Sequence, residues 1–300
     1  MLGLQRLSPR AAPWVFVFLW SSGFTAAKYV HPYAGPFTFL ALRYTIACGI
    51  LAAAAAWQRQ LRSLTSRQVW HSALTGLLLH AVYIGGVFYA ISQGVTAGIS
   101  SVIVSLQPVL VALLAVPLLG ERFHWVGAAG LALGVVGVAL LLLPKVLQGD
   151  YSSQFTAVGI GSCVVALLGT TAGYLTQKRV GGGIPFLPGT AVQFAASAVT
   201  FMVLAGLTED MTIQWTPQFI AGLTWIVVAL SIGSIFLLFE LLRAGTAGSV
   251  SSLYYLVPPC AALQSYLLLG EHIPPIGLVG MALAALGVML VMRSTEPAAH

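Results

Sequence analysis

Residues 96–137, TAGISSVIVSLQPVLVALLAVPLLGERFHWVGAAGLALGVVG, return in altered form at 246–287, TAGSVSSLYYLVPPCAALQSYLLLGEHIPPIGLVGMALAALG. The register is an offset of 150. Thr96, Ala97 and Gly98 answer to Thr246, Ala247 and Gly248, and Ser101, Leu106 and Pro108 answer to Ser251, Leu256 and Pro258. The run Leu118-Leu119-Gly120-Glu121 recurs as Leu268-Leu269-Gly270-Glu271, and Gly127, Gly130 and Gly137 recur as Gly277, Gly280 and Gly287. Between positions 94 and 141, 19 of 48 residues are identical to their partners 150 later. Shared apolar composition would match some Leu, Val and Ala, but would not align proline, a Gly-Glu pair and three spaced glycines. The chain reads as a duplication, with one repeat over 1–150 and the second over 151–300.

What is duplicated is apolar. Only 7% of the 300 residues are charged, against about 25% in a soluble domain, and mean hydropathy is +0.94. Thirteen Lys and Arg and seven Asp and Glu cannot solvate the surface of a water-soluble globule of this length. The outer surface faces lipid, so the expected fold class is an all-α integral membrane protein. A spanning helix needs about 20 apolar residues for about 30 Å of hydrocarbon. The sequence divides into ten such spans, at 13–31, 36–57, 69–92, 96–119, 123–143, 155–179, 188–207, 218–242, 246–269 and 273–293. The first has no small-residue cleavage site and reads as a retained helix.

The basic residues orient these spans. With a cytoplasmic N-terminus, Arg6, Arg10, Arg59, Arg62, Arg67, Arg122, Lys178, Arg179, Arg243 and Arg293 lie inside, Lys28 and Lys145 lie outside, and Arg43 is within a span. Ten against two satisfies the positive-inside rule, and two cytoplasmic termini require an even number of spans. Each repeat then holds five spans, so the second enters the membrane from the opposite side. Inverted repeats of this kind are typical of secondary transporters, whose substrate site lies near the midplane between the repeats. The reading is therefore transport by alternating access.

The residues also resemble a known family. The pattern Thr96-Ala97-Gly98, Leu106-Gln107-Pro108-Val109-Leu110 and Leu118-Leu119-Gly120-Glu121-Arg122, followed by spaced glycines, resembles the EamA-type repeat of the drug/metabolite transporter superfamily. Leu19-Trp20-Ser21-Ser22-Gly23-Phe24 with Arg43 one span later fits the start of the same repeat. In the weaker part of the second copy, Gln193 occupies the place of Arg43. The resemblance implies a ten-helix exporter of the bacterial inner membrane, most like the aromatic amino-acid exporter branch.

Candidate functional residues are those that are costly in hydrocarbon. Arg43 lies roughly 10 Å along its span at 1.5 Å per residue, where an arginine costs at least ~2.5–3.5 kcal/mol. Its fork suits a substrate carboxylate. A structural bond to backbone carbonyls is the competing reading. His80 stands near the middle of the third span, with Tyr83 one helical turn on and leucine at its repeat partner, position 230. Trp20, Gln107, Tyr174 and Tyr254 are further polar or aromatic groups at membrane depth, suited to a substrate with an apolar ring and a zwitterionic end. Each is also an ordinary packing residue. Pro108 and Pro258 fall within spans four and nine and are expected to kink or hinge them. Glu121 and Glu271 read as interfacial residues beside helix N-termini, and Glu240 as an ion-pair partner of Arg243. Gly127, Gly130 and Gly137 and their repeat partners lie on spacings that allow close helix packing, and the fifth and tenth spans, with almost no polar side chain, are placed away from the substrate, at a dimer or lipid face.

No acidic residue lies near a midplane, so the expected mode is uniport, with His80 the one argument for proton coupling. The rival reading is export of lipophilic or cationic drugs, possible with proton coupling. No His-Glu-x-x-His, Gly-x-Ser-x-Gly or paired intramembrane aspartate is present, and Cys48, Cys163 and Cys260 lack metal-type spacing. No enzyme, cofactor, metal or nucleic-acid partner is expected. The expected partners are a small metabolite and the bilayer, for a monomer or weak homodimer.

Overall fold

The structure is a computed structural model that describes residues 11–60, 63–107, 109–111, 114, 125–147, 157–181, 183–234, 237, 241, 256–271 and 274–295. The regular secondary structure among the described residues is helical, and an isolated antiparallel bridge pairs Ala34 with Ile213. The helices are α1 (Ala12–Val30), α2 (Pro36–Trp57), α3 (Ser66–Gly76), α4 (Tyr83–Ser92), α5 (Ala97–Val104) and α6 (Trp125–Leu147). They continue with α7 (Ala157–Val180), α8 (Phe186–Thr208), α9 (Pro217–Thr224), α10 (Val257–Leu269) and α11 (Pro275–Thr295). Among the described residues, five helical stretches are long and apolar enough to cross a membrane: Pro36–Trp57, Ser66–Ser92, Ala157–Gln177, Phe186–Thr208 and Pro217–Ser234. The expected spans at 96–119, 123–143, 246–269 and 273–293 meet residues outside the described set.

Two of the long stretches differ from the uniform α-helix expected. Leu77–Val82, between α3 and α4, and Trp225–Ser234, after α9, are π-helical. A π turn closes its bonds one residue later than an α turn and is frequent at functional sites. Both interruptions fall at corresponding places in the repeat, since 77–82 maps to 227–232 at the offset of 150. Helix starts keep the same interval: Pro36 and Phe186, and Trp125 and Pro275, lie 150 apart.

The chain divides into two compact units, each drawing on both sequence halves. The first comprises the described parts of Met1–Thr25, Thr96–Gln154 and Val228–His300. Within it, Gln264 on α10 donates through Nε2 to the Phe18 carbonyl and to Ser21 Oγ on α1, both at 3.0 Å. One residue on, Ser265 Oγ lies 3.2 Å from Thr25 Oγ1. Such bonds tie helices together where no water competes. α6 and α11 pack on each other through their glycines. A Cβ on Gly137 would strike the Gly280 carbonyl, and one on Gly287 would strike the Gly130 carbonyl. The close helix packing expected of these glycines is thus a pairing within the chain. The opposite face, with Val135, Val136, Leu278 and Val279, is exposed and apolar, as lipid contact requires.

The repeated Leu-Leu-Gly-Glu motif acquires a physical meaning at its second copy. Gly270 closes α10 in the left-handed region at φ 65°, and Glu271 N donates to the Ser265 carbonyl at 3.2 Å. Glycine ends helices this way because it lacks the Cβ that disfavours this conformation. Pro258 is found in the first turn of α10, where the missing N–H has no helical partner to lose. The earlier part of its expected span, 246–255, lies outside the described residues. Pro108 lies outside the described residues.

The second unit comprises the described parts of Ala26–Val95 and Phe155–Val227. α2 and α8, which are partners at the offset of 150, run antiparallel and pack along their length. Glu209, at the C-terminal end of α8, holds the start of α2. Its carboxylate accepts from Phe37 N and Thr38 N, both at 2.8 Å, and from Thr38 Oγ1 at 2.5 Å. Gly35, at the N-cap, supplies no side-chain bond, so this carboxylate takes the capping role and complements the helix dipole. A Cβ at residue 35 would collide with it. Next to this contact, Gln214 N donates to the Tyr33 carbonyl at 2.8 Å. α3 opens with a capping box between Thr65 and Gln68, and α9 with Thr216 accepting from Phe219 N at 3.2 Å.

Candidate functional site

The α2–α8 seam is aromatic. Phe37 stacks on Phe201 at 6.2 Å and on Tyr89 at 5.6 Å, and Tyr44 stacks on Phe201 at 5.6 Å. Into this seam α2 brings Arg43, only 7% exposed, with its guanidinium carbon 4.9 Å from the Tyr44 ring centroid. A cation over an aromatic face recovers part of the hydration it has lost.

The π segment carries His80 to the same place. Its ring lies 5.3 Å from Tyr44 and meets Phe194 edge-on at 5.0 Å. The side chain of Gln193 on α8 hydrogen-bonds His80, and its Nε2 donates to Gln177 Oε1 on α7 at 3.3 Å. Tyr83, at the first position of α4, lies near enough to Tyr44 and Arg43 for a charge on either to reach it. Sequence spacing put His80 and Tyr83 on one helical face by α periodicity; the intervening residues close as a π turn, yet both residues lie near the Arg43–Tyr44 corner. The structure therefore brings together Arg43, His80 and Tyr83 out of the seven substrate-site candidates.

The other four stand elsewhere. Trp20 is in the first unit, 5.4 Å from Phe16 and packed on a small core with Val17 and Leu237. Gln107 is also in the first unit, partly buried. Tyr174 is in the second unit on α7, 46% exposed and outside the aromatic seam. Tyr254 lies outside the described residues.

Tyr44, Gln193, Phe194 and Phe201 complete the corner, and sequence reading had singled out only Gln193, as the repeat partner of Arg43. Tyr44 is fully buried and its hydroxyl has no hydrogen-bond partner. Leaving a buried hydroxyl unpaired costs about 1–3 kcal/mol. The signal in sequence was faint: a tyrosine beside the embedded arginine, among other aromatics.

Chemically, the corner offers one fixed cation, an imidazole, hydroxyls, an amide and several aromatic faces. The carboxylate of Glu209 in this unit is engaged at the start of α2. Among the described residues no group of three or more His, Cys, Asp and Glu could hold a metal ion. This donor set is suited to holding a small molecule with an anionic group and an apolar ring.

Comparison with known proteins gives a consistent result. The model of the EamA-like transporter family matches residues 14–143 and again 157–293. The uncharacterized transporter YvbV of Bacillus subtilis is 27% identical over 93% of this chain and 90% of its own length. A probable terminal-alkyne amino-acid exporter of Streptantibioticus cattleyicolor is 30% identical over 67% of this chain and 66% of its own. A probable amino-acid metabolite efflux pump of Escherichia coli is 24% identical over 72% of this chain and 74% of its own. A crystal structure of another protein, 19% identical, superposes with a TM-score of 0.62 over 93% of this chain and 94% of that one, which shows a shared fold.

Proposed function

The chain belongs to the EamA-like transporter family, and on that premise we propose that it exports neutral amino acids, aromatic ones foremost, by alternating access and without proton coupling. As a family member it is a multi-pass membrane transporter and not an enzyme. The observation that carries the substrate reading is the corner of Arg43, His80 and Tyr83 among aromatic rings. A carboxylate pairs with the guanidinium, and an aromatic side chain finds ring faces. Two relatives named for amino-acid or amino-acid-metabolite export fit this reading.

Alternating access follows from two inverted five-span halves, 1–150 and 151–300, in a ten-helix chain. Two features support this arrangement. Repeat partners α2 and α8 lie antiparallel, and α6 and α11 contact each other reciprocally. Gly137 meets Gly280 while Gly287 meets Gly130, and each member of the first pair has its repeat partner in the second. Reciprocal contacts of this form are what a two-fold axis produces. The glycine pairing also leaves a monomer sufficient as the working unit. Both termini are assigned to the cytoplasm, on the charge bias alone.

Uptake into proteoliposomes of labelled phenylalanine, tryptophan and a lipophilic cation, with and without an imposed pH gradient, tests the proposal. Saturable amino-acid uptake indifferent to the gradient is the expected result. Gradient-driven uptake would remove the uniport assignment, and movement of the cation alone would sink the substrate assignment.

A further inference from the structure

We propose that Tyr44 sets substrate specificity: its hydroxyl is the donor that the carboxylate of the transported amino acid takes up. The inference rests on the substrate reading above and assigns a role to a residue outside the sequence-derived site.

The argument starts from what the ring does without its oxygen. Tyr44 stacks on Phe201, meets Phe194 edge-on at 5.1 Å, and lies beneath the Arg43 guanidinium. A phenylalanine would keep all three contacts and strand no hydroxyl. Packing therefore favours phenylalanine at this position, and the oxygen must serve something that packing does not.

Its surroundings narrow what that is. The hydroxyl sits unpartnered in a corner whose fixed charge is Arg43 and whose other polar groups are His80, Tyr83 and Gln193. An ammonium group would meet a cation there, whereas a carboxylate would meet a cation and a hydroxyl donor together. Hydrogen bonds to a carboxylate are the stronger kind, and a site built to make one rejects analogues that lack the group. The hydroxyl is buried, and the His80 ring packed 5.3 Å from the Tyr44 ring is itself partly exposed and rides on a π turn. On this proposal the ligand reaches the hydroxyl by displacing that ring.

The test is Tyr44→Phe in the full chain, compared with wild type in proteoliposomes and by melting in detergent. Phenylalanine and phenylalaninamide are the paired probes, identical except that the amide lacks the carboxylate. The variant should melt at the wild-type temperature or above it. Its phenylalanine uptake should fall about tenfold at subsaturating substrate, with preference for phenylalanine over the amide reduced by the same factor. An unchanged preference overturns the proposal. So does a clearly lower melting temperature, because the hydroxyl would then have a structural partner. A wild-type chain that moves no amino acid sinks the substrate reading and this inference together. An active wild type matched by its variant sinks this inference alone.

Discussion

His80 shows how a single side chain can be held by several elements at once. Its ring is packed by Tyr44 of α2 and Phe194 of α8, and its hydrogen bond goes to Gln193, which in turn bonds Gln177 of α7. Residues in one such network act as a unit, so their substitutions are not additive. His80→Ala and Gln193→Leu should each reduce phenylalanine uptake without loss of folded protein. The double variant should be little worse than the poorer single one. Independent, multiplying losses would show that the bond between them has no part in transport.

At the scale of elements, the connection between α1 and α2 is built on a carboxylate delivered from the end of α8. Glu209 replaces the side-chain cap that Gly35 cannot provide, and Gly35 in turn leaves the space the carboxylate occupies. His31 in the same connection has its pKa held below the ordinary value by partial burial, with Glu209 opposing and Lys28 reinforcing the shift. Glu209→Ala should destabilise the protein by about 1–2 kcal/mol, the cost of a lost cap. Gly35→Ala should cost about 1–3 kcal/mol through overpacking. Melting in detergent reads both, and a Gly35→Ala protein as stable as wild type would show that the contact is not close in solution. Because both lesions strike one contact, the double variant should lose less than the sum.

Across the whole molecule, the reciprocal pairing of α6 and α11 predicts matched sensitivities at repeat partners. Gly137→Val and Gly287→Val each drive a side chain into the backbone of the other helix. Both should lower the melting temperature, by an amount corresponding to about 1–3 kcal/mol, and the two losses should be nearly equal. Gly161→Val, where nothing lies within 4 Å of an added Cβ, should leave the melting temperature close to that of wild type. Strongly unequal losses at 137 and 287 would speak against a pseudo-two-fold arrangement of the two repeats.

Composition and periodicity by themselves determined the membrane class, the places where most helices begin, and the duplication. These depend on hydropathy and on local glycine and proline chemistry, which are written in one dimension. The embedded arginine and histidine were legible for the same reason, since a polar group in hydrocarbon stands out against its neighbours. Tertiary structure alone decided which of them meet. The antiparallel lie of α2 and α8 was already implied by the five spans read in each repeat, but the π turn that carries His80 to the Arg43–Tyr44 corner has no signature in residue spacing. Nor could sequence tell a packing tyrosine from one with a stranded hydroxyl. Tyr44 becomes notable only once its neighbours are known, because an unmade hydrogen bond is a property of surroundings and not of a residue.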